Sequence, residues 1–387
     1  MPDNKKIKIL RVIARLNIGG PAIHTILLTQ GLDKSRFQTL LACGRVDEGE
    51  GDMFYYAAKK EIQPLFIPEL RRSLNLFNDL IALKKIYNII AREHPDIVHT
   101  HTAKAGALGR LAAVLYNLFH PHSPRIRIFH TFHGHVFEGY FSPFKARVFL
   151  CIERFLARFS DKIITVSSSL KRELVSLGIA KEEKIAVIPL GLELEEFLQI
   201  PPRRSDILNV GIISRLVPVK NHKFFLEAAA RLVADNPQLK IKFKIIGDGR
   251  LRQELEQYCR SLKLEAQVEF LGWQRDLASV YSDLDIVALT SLNEGTPVSL
   301  IEAMACGRAV AATDVGGVAD LLGRNGERGV IAVRGDLVGF AGALSGLLKN
   351  DKLRQELGIR AREFVKNNFS KARLIRDMEG LYTFFFI

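Results

Sequence analysis

Residues 285–302 read DIVALTSLNEGTPVSLIE, and this stretch decides the fold. Ile286, Val287, Ala288 and Leu289 leave no polar face, so they predict a strand buried on both sides. Pro297 suits the first turn of a helix with Thr296 as its cap, and VSLIEAMA continues with helical spacing. Strand, polar loop and helix follow one another, with Glu294 in the loop and Glu302 on the second helical turn. A helix N-terminus favours anions, so the amides near Val298 and Ser299 suit a phosphate. The two carboxylates would repel that phosphate, and hydroxyl groups are their natural partners. The arrangement implies a ligand with phosphates in its middle and hydroxyl-rich groups on either side.

The same alternation extends in both directions. KIKILRVIA, FQTLLACG, DIVHTH, RIRIFHTFH, KIITVS and KIAVIPLG are strand-like runs separated by helical patterns, which predicts parallel βαβ units. A proline-bearing break near Pro189–Pro202 precedes a second series: ILNVGIISRL, KFKIIGDG, VEFLGW, DIVALTS, AVAATD and GVIAV. The expectation is an α/β protein of two doubly wound, Rossmann-like domains, residues 1–190 and 191–365. A C-terminal helix over 366–387 would pack back on the first domain. Ligands bind beyond the carboxyl ends of such strands, which places the chemistry in a cleft between the domains.

Composition narrows the class. At 387 residues, 48% hydrophobic and 25% charged, the chain has ample length for two cores. Four widely spaced cysteines without a CxxC pair point to a reducing, cytoplasmic compartment and away from a cysteine metal site. The N-terminus lacks the apolar core of a signal peptide, and no run approaches a spanning helix. Residues 1–190 hold 28 Lys and Arg against 17 Asp and Glu, net +11, whereas the remainder holds 27 against 25, net +2. No nucleic-acid motif accompanies the basic half. An anionic membrane face, or a pyrophosphate-bearing acceptor there, accounts for the asymmetry as well as a plain solvated surface does.

Further segments carry candidate chemistry. In GIISRLVPVKNHKFF, Arg215 and Lys220 flank a short loop before a helix expected to be capped by Asn221. Alone they read as surface cations; beside Glu294 and Glu302 they read as neutralising a departing diphosphate. Gly247 and Gly249 in IIGDG lack the dinucleotide spacing and read as a turn that a nucleotide can approach. Gly19 and Gly20 open a helix after the first strand and admit a ligand close to the backbone. The RIFHTFHGHVFEGYF cluster contains His130, His133, His135 and Tyr140. Strand alternation separates His130 from His133 and places His133 at the strand end, where a neutral imidazole can hydrogen-bond a hydroxyl. The spacing does not match a zinc motif, and no metal site is assigned. His101 and Lys104 begin a helix after DIVHTH and suit a second anion such as an acceptor phosphate, or ordinary capping.

The segments GGPAIHT, HTHTAKAGALGR, HTFHGHVFEGYF, IPLGLELEEF, SRLVPVKN, GDG, FLGW and SLNEGTPVSLIEAMACGRAVAATDVGGVADLL resemble bacterial retaining glycosyltransferases of family 4, across nearly the whole chain. That resemblance implies the GT-B fold of two facing Rossmann-like domains. It also implies a nucleotide diphosphate sugar, a UDP-sugar, as donor substrate, no cofactor and no divalent metal. Glu294 would bind donor-sugar hydroxyls and Glu302 the ribose. Arg215 and Lys220 would neutralise the diphosphate. Gly295, Thr296, Pro297, Val298 and Ser299 would form the donor turn with Gly247 and Gly249, while Gly19, Gly20 and His133 would contribute from the other domain. His101, Lys104, His135 and Tyr140 are placed on the acceptor side. The likeness to enzymes of surface-polysaccharide and lipid-linked glycan assembly implies a glycan or polyprenyl-diphosphate acceptor, met at the inner membrane face. A sugar-nucleotide epimerase and a non-catalytic sugar-nucleotide-binding protein stand as alternatives.

Overall fold

The apolar runs of the first half form seven strands, β1 (Ile7–Ile13), β2 (Phe37–Gly44), β3 (Leu65–Ile67), β4 (Ile97–His101), β5 (Arg127–Phe132), β6 (Lys162–Thr165) and β7 (Ile185–Val187). The computed structural model describes residues 6–47, 51–71, 73–134, 143–203 and 205–386. These seven strands pair in parallel in the order β3-β2-β1-β4-β5-β6-β7. Successive residues face opposite sides of the sheet, and both sides are covered. Leu10, Val12, Val98 and Ile128 pack in one core with Ala82, Ile86 and Ile90 of the helix Leu76–Glu93 and with Ala105, Ala112 and Ala113 of the helix Ala103–Phe119. Ile9, Ile97, Phe129 and Ile164 pack on the other face against Leu374, Met378 and Tyr382 of the helix Lys371–Phe384. That helix is therefore part of the first unit's core, and the unit comprises Met1–Leu192 with Lys371–Ile387.

The second unit, Glu193–Ser370, holds β8 (Leu208–Ile213), β9 (Ile241–Ile246), β10 (Val268–Gly272), β11 (Ile286–Leu289), β12 (Ala309–Thr313) and β13 (Val330–Ala332). Their order is β10-β9-β8-β11-β12-β13, all parallel. The core on one face joins Val210, Ile212, Phe243, Ile245, Ile286 and Ala288 to Phe225 and Leu232 of the helix His222–Asp235. In each unit the chain starts in mid-sheet, winds to one edge, then returns to build the other side. The direction reverses between β1 and β4, and between β8 and β11. At such a reversal the two following loops diverge, leaving a crevice at the carboxyl edge of the sheet.

Among the described residues no helix is long and apolar enough to cross a membrane. All four cysteines are free thiols, and Cys151 alone among them is exposed.

Candidate active site

The crevice between β8 and β11 is built by loops that hydrogen-bond to one another. β8 ends at Ile213, and the chain passes through half-buried Arg215 into a single 3-10 turn, Pro218–Lys220. Asn221 follows in the left-handed conformation, φ 52°, and its side chain makes no capping bond to the helix His222–Asp235. Asn221 thus holds the expected N-cap position without the side-chain bond, because a left-handed backbone aims its amide away from the first helical N–H groups. His222 Nε2 lies 3.0 Å from Ser214 Oγ. Burial, aided by the charge of Lys220, pushes the His222 imidazole down to about 4, so it is neutral at physiological pH.

β11 delivers the facing side. The Leu292 amide donates to Val219 O at 2.8 Å, and Thr290 Oγ1 donates to the carbonyls of Lys220 and Asn221, each at 3.1 Å. These bonds bring Lys220 Nζ against Glu294 Oε1 as an ion pair. Ser291 Oγ donates to the same oxygen at 2.6 Å. Solvent reaches only 20% of the lysine and 11% of the glutamate side chain. The cation and carboxylate chosen from separate segments therefore meet at the topological switch point.

Glycines explain how closely these loops approach. A Cβ on Gly316, φ +51°, would lie 1.7 Å from Glu294 O, and the Gly317 amide donates to Gly295 O at 3.0 Å. The β12 loop is thus pressed against the Glu294 backbone, which only a residue without a side chain allows. Gly247, φ +125°, and Gly249, φ +155°, do the same for the Arg215 loop. Their Cβ atoms would lie 2.0 Å from Ser214 O and 2.7 Å from Leu216 O. The GDG turn read as a nucleotide approach is also the support beneath Ser214–Leu216.

The helix after Glu294 begins at Val298, with Pro297 as its N-cap and no side-chain cap. Thr296 as cap and Pro297 inside the first turn are both one residue early. Pro297 is extended at ψ 111°, and its carbonyl accepts the first helical bonds from Leu300 and Ile301 at 3.2 and 3.3 Å. Helical geometry leaves the amides of Val298 and Ser299 without intrahelical acceptors. Glu302 sits one turn further, buried, with Tyr281 Oη donating to its Oε2 at 2.8 Å. Burial raises the Glu302 carboxyl to about 7, against the opposing pull of the tyrosine bond. Tyr281 is in turn fixed through its carbonyl, which accepts from Arg308 Nε at 3.0 Å. Arg308 itself is 4% exposed, so this basic residue is an internal brace.

In the first unit the carboxyl edges of β1, β4 and β5 converge on histidines. Gly19, φ +153°, is the N-cap of the helix Gly20–Gly31. His24 on that helix lies with its ring centroid 4.9 Å from His133. His133 follows β5, half-buried, and its Nε2 is 3.1 Å from Nδ1 of His101, the last residue of β4. Burial lowers the pKa of His24 and His101 far below the ordinary value and that of His133 to about 3, so all three are neutral near pH 7. His130 belongs to a different environment: it is buried and bonded through Nδ1 to Thr100 Oγ1 at 2.8 Å. Ring nitrogens of His24, His101 and His133 lie within 4.8 Å of one another. This trio differs from the sequence cluster, and the buried guanidinium of Arg11 opposes further positive charge beside it.

Two acceptor-side candidates have internal partners. Lys104 pairs with Asp79 and donates to Ser73 O at 2.5 Å, so its charge is already neutralised. His101 is fully buried and reaches His133, a placement that orients the neighbouring ring and presents no exposed edge to an acceptor. His135 and Tyr140 lie outside the described residues. Sequence reasoning missed His24, Tyr281, His222 and Gly316. Only Gly316 had a signal, the paired glycines directly after an apolar run.

The family model for glycosyl transferases group 1 matches residues 195–364, and the glycosyltransferase family 4 model matches residues 18–196. An Escherichia coli protein, UDP-Gal:alpha-D-GlcNAc-diphosphoundecaprenol alpha-1,3-galactosyltransferase, is 28% identical over 83% of this chain and 84% of its own length. The capsular polysaccharide biosynthesis glycosyltransferase CapM of Staphylococcus aureus is 28% identical over 82% and 84%. Among solved structures, HepE of Anabaena in complex with UDP and glucose superposes with a TM-score of 0.80 at 20% identity, over 97% of this chain and 99% of that one. The epimerase alternative finds no support among these relatives. The two models together cover residues 18–364, the fold is GT-B, and the chain belongs to the family 4 glycosyltransferases.

Proposed function

We propose that the protein transfers a hexose or N-acetylhexosamine from a UDP-sugar to a glycan or polyprenyl-diphosphate-linked acceptor, with retention and without a divalent metal. The observation that carries this reading is the Lys220–Glu294 pair at the β8/β11 reversal, beside the amides of Val298 and Ser299. Lys220 and Arg215 take the charge that develops on the diphosphate as the bond from the anomeric carbon to its oxygen breaks. Glu294 accepts from sugar hydroxyls and Glu302 from the ribose. The acceptor hydroxyl attacks the same face, forming the new glycosidic bond, and its proton passes to the departing phosphate. His133, held neutral, hydrogen-bonds the donor sugar without adding charge beside the developing oxocarbenium ion. The E. coli relative is named for an alpha-D-GlcNAc-diphosphoundecaprenol acceptor, which supports a lipid-linked acceptor at the inner face of an anionic membrane.

Calorimetry with UDP-, GDP- and ADP-sugars in EDTA tests the donor. One UDP-sugar is expected to bind selectively, and transfer is expected to persist in the chelator. Loss of transfer that zinc restores would instead assign a metal to His24, His101 and His133. Binding confined to GDP- or ADP-sugars would overturn the base assignment.

Glu302 adds a pH signature. Its folded pKa, about 7, lies above the ordinary 4.5, so its contribution to stability is present below pH 4.5 and lost as pH rises through 7. Glu302→Gln removes the cost of ionising a buried carboxyl, ~3 kcal/mol at most above neutrality. Denaturant titration should find the variant more stable than wild type near pH 8 and without that gain near pH 4.5, while UDP binding near pH 8 weakens about tenfold. Unchanged UDP affinity would remove Glu302 from the ribose site.

A further inference from the structure

The helix Pro143–Phe159 exposes what a helix in a doubly wound fold normally buries. Phe144, Val148, Ile152, Phe155 and Phe159 recur at helical spacing, and are 76%, 43%, 39%, 52% and 40% exposed. The rotation of the helix is fixed from inside. Glu153 is buried in an ion pair with Arg110 Nη2 at 2.5 Å, and Leu156 and Ala157 are buried beside it. With 3.6 residues per turn, that inner face leaves the five apolar residues along one outward stripe about 22 Å long. Arg147, Arg154 and Arg158, all exposed, flank the stripe on one side. Glu153 is the helix's single acid and faces inward, so the outer surface carries no negative charge.

A second observation continues the positive surface. At the C-terminal end of the helix an open groove of about 1000 Å³ is lined by Arg125, Arg154, Arg158, Lys162, Lys181 and Lys184. Asp161 and Glu183 are the acids among its lining residues. Burial lowers the Lys184 ammonium pKa, with Asp161 opposing that shift and Arg125 adding to it.

We propose that this helix and groove dock the protein on an anionic lipid bilayer, with the apolar stripe inserted at the headgroup boundary and the arginines on lipid phosphates. An apolar stripe edged by cations fits a charged interface, whereas a nucleic acid would leave the phenylalanines in water. The proposal rests on the lipid-linked-acceptor reading for its purpose, and assigns the surface that meets the lipid. The residues lie on one side helix and at the amino-terminal ends of β5, β6 and β7, away from the carboxyl edge that carries His133.

The test is co-sedimentation of the full-length protein with vesicles of phosphatidylcholine alone or with phosphatidylglycerol, without donor or acceptor. Wild type should partition onto the anionic vesicles and release in high salt. Phe144→Gln with Phe155→Gln should lose binding at least tenfold, and Arg147→Gln with Arg158→Gln about 25-fold, at about fivefold per arginine. Both variants should keep wild-type transfer to a short water-soluble acceptor, which tests the transferase reading separately. Unaltered vesicle binding by both variants would overturn the proposal. So would analytical ultracentrifugation showing a wild-type dimer that Phe144→Gln with Phe155→Gln dissociates, since the stripe would then cover a second copy of this chain.

Discussion

Replacement of Glu294 by alanine is expected to lower kcat/KM about 1,000-fold, a loss of about 4 kcal/mol in transition-state stabilisation. The carboxylate is 11% exposed, paired with Lys220 and bonded to Ser291 Oγ at 2.6 Å. A ligand hydroxyl meeting it would therefore find a preorganised acceptor, and its removal leaves that hydroxyl unpaired in a site with little water. The ion pair makes a second, opposite expectation. Without Glu294 the Lys220 ammonium loses its internal partner and becomes available to a diphosphate. UDP alone should bind the Glu294→Ala protein as tightly as wild type or more tightly, while Lys220→Met should weaken UDP about tenfold or more. Calorimetry with UDP, run beside steady-state transfer, separates the roles. Weakened UDP binding by Glu294→Ala would make the glutamate a scaffold for the lysine, and unimpaired transfer would remove it from the site.

The strands were legible because a parallel sheet covered on both faces is written as continuous apolar runs, as in Ile286–Leu289. Alternation also sorted the histidines. His130 meets Thr100, its register partner on β4, whereas His133, three residues further on and past the end of β5, meets His101. What escaped was set by distance along the chain. Lys220 and Glu294 are 74 positions apart, and only the β8/β11 pairing turns two candidates into one ion pair. Lys104 looked available because its partner, Asp79, sits on the first turn of another helix. Local rules misplaced one cap and overread the other. Thr296 is a good capping residue, but Pro297 takes the N-cap position, while Asn221 stands at the expected N-cap with a left-handed backbone and no side-chain capping bond.

Gly316→Ala should be nearly as damaging as loss of Glu294 itself, although Gly316 carries no functional group. An added methyl would stand 1.7 Å from Glu294 O and 2.9 Å from its carbonyl carbon, so the Glu294 loop must move. That loop holds the carboxylate against Lys220, and the Gly317–Gly295 hydrogen bond passes the displacement to the turn ahead of Val298. A shift on the order of 1 Å in a positioning loop costs about 100-fold in turnover. The positive φ of +51° adds a stability cost of about 1 kcal/mol for any side chain. Gly335 supplies the control, because it has φ +84° and nothing within 4 Å of its would-be Cβ. Gly335→Ala should lose the same ~1 kcal/mol in denaturant titration and keep full activity. Gly316→Ala should lose at least about 100-fold in kcat, with cooperative unfolding retained. Equal activity in the two variants would mean that the backbone of Glu294 tolerates displacement, and that the close contact with the β12 loop serves packing alone.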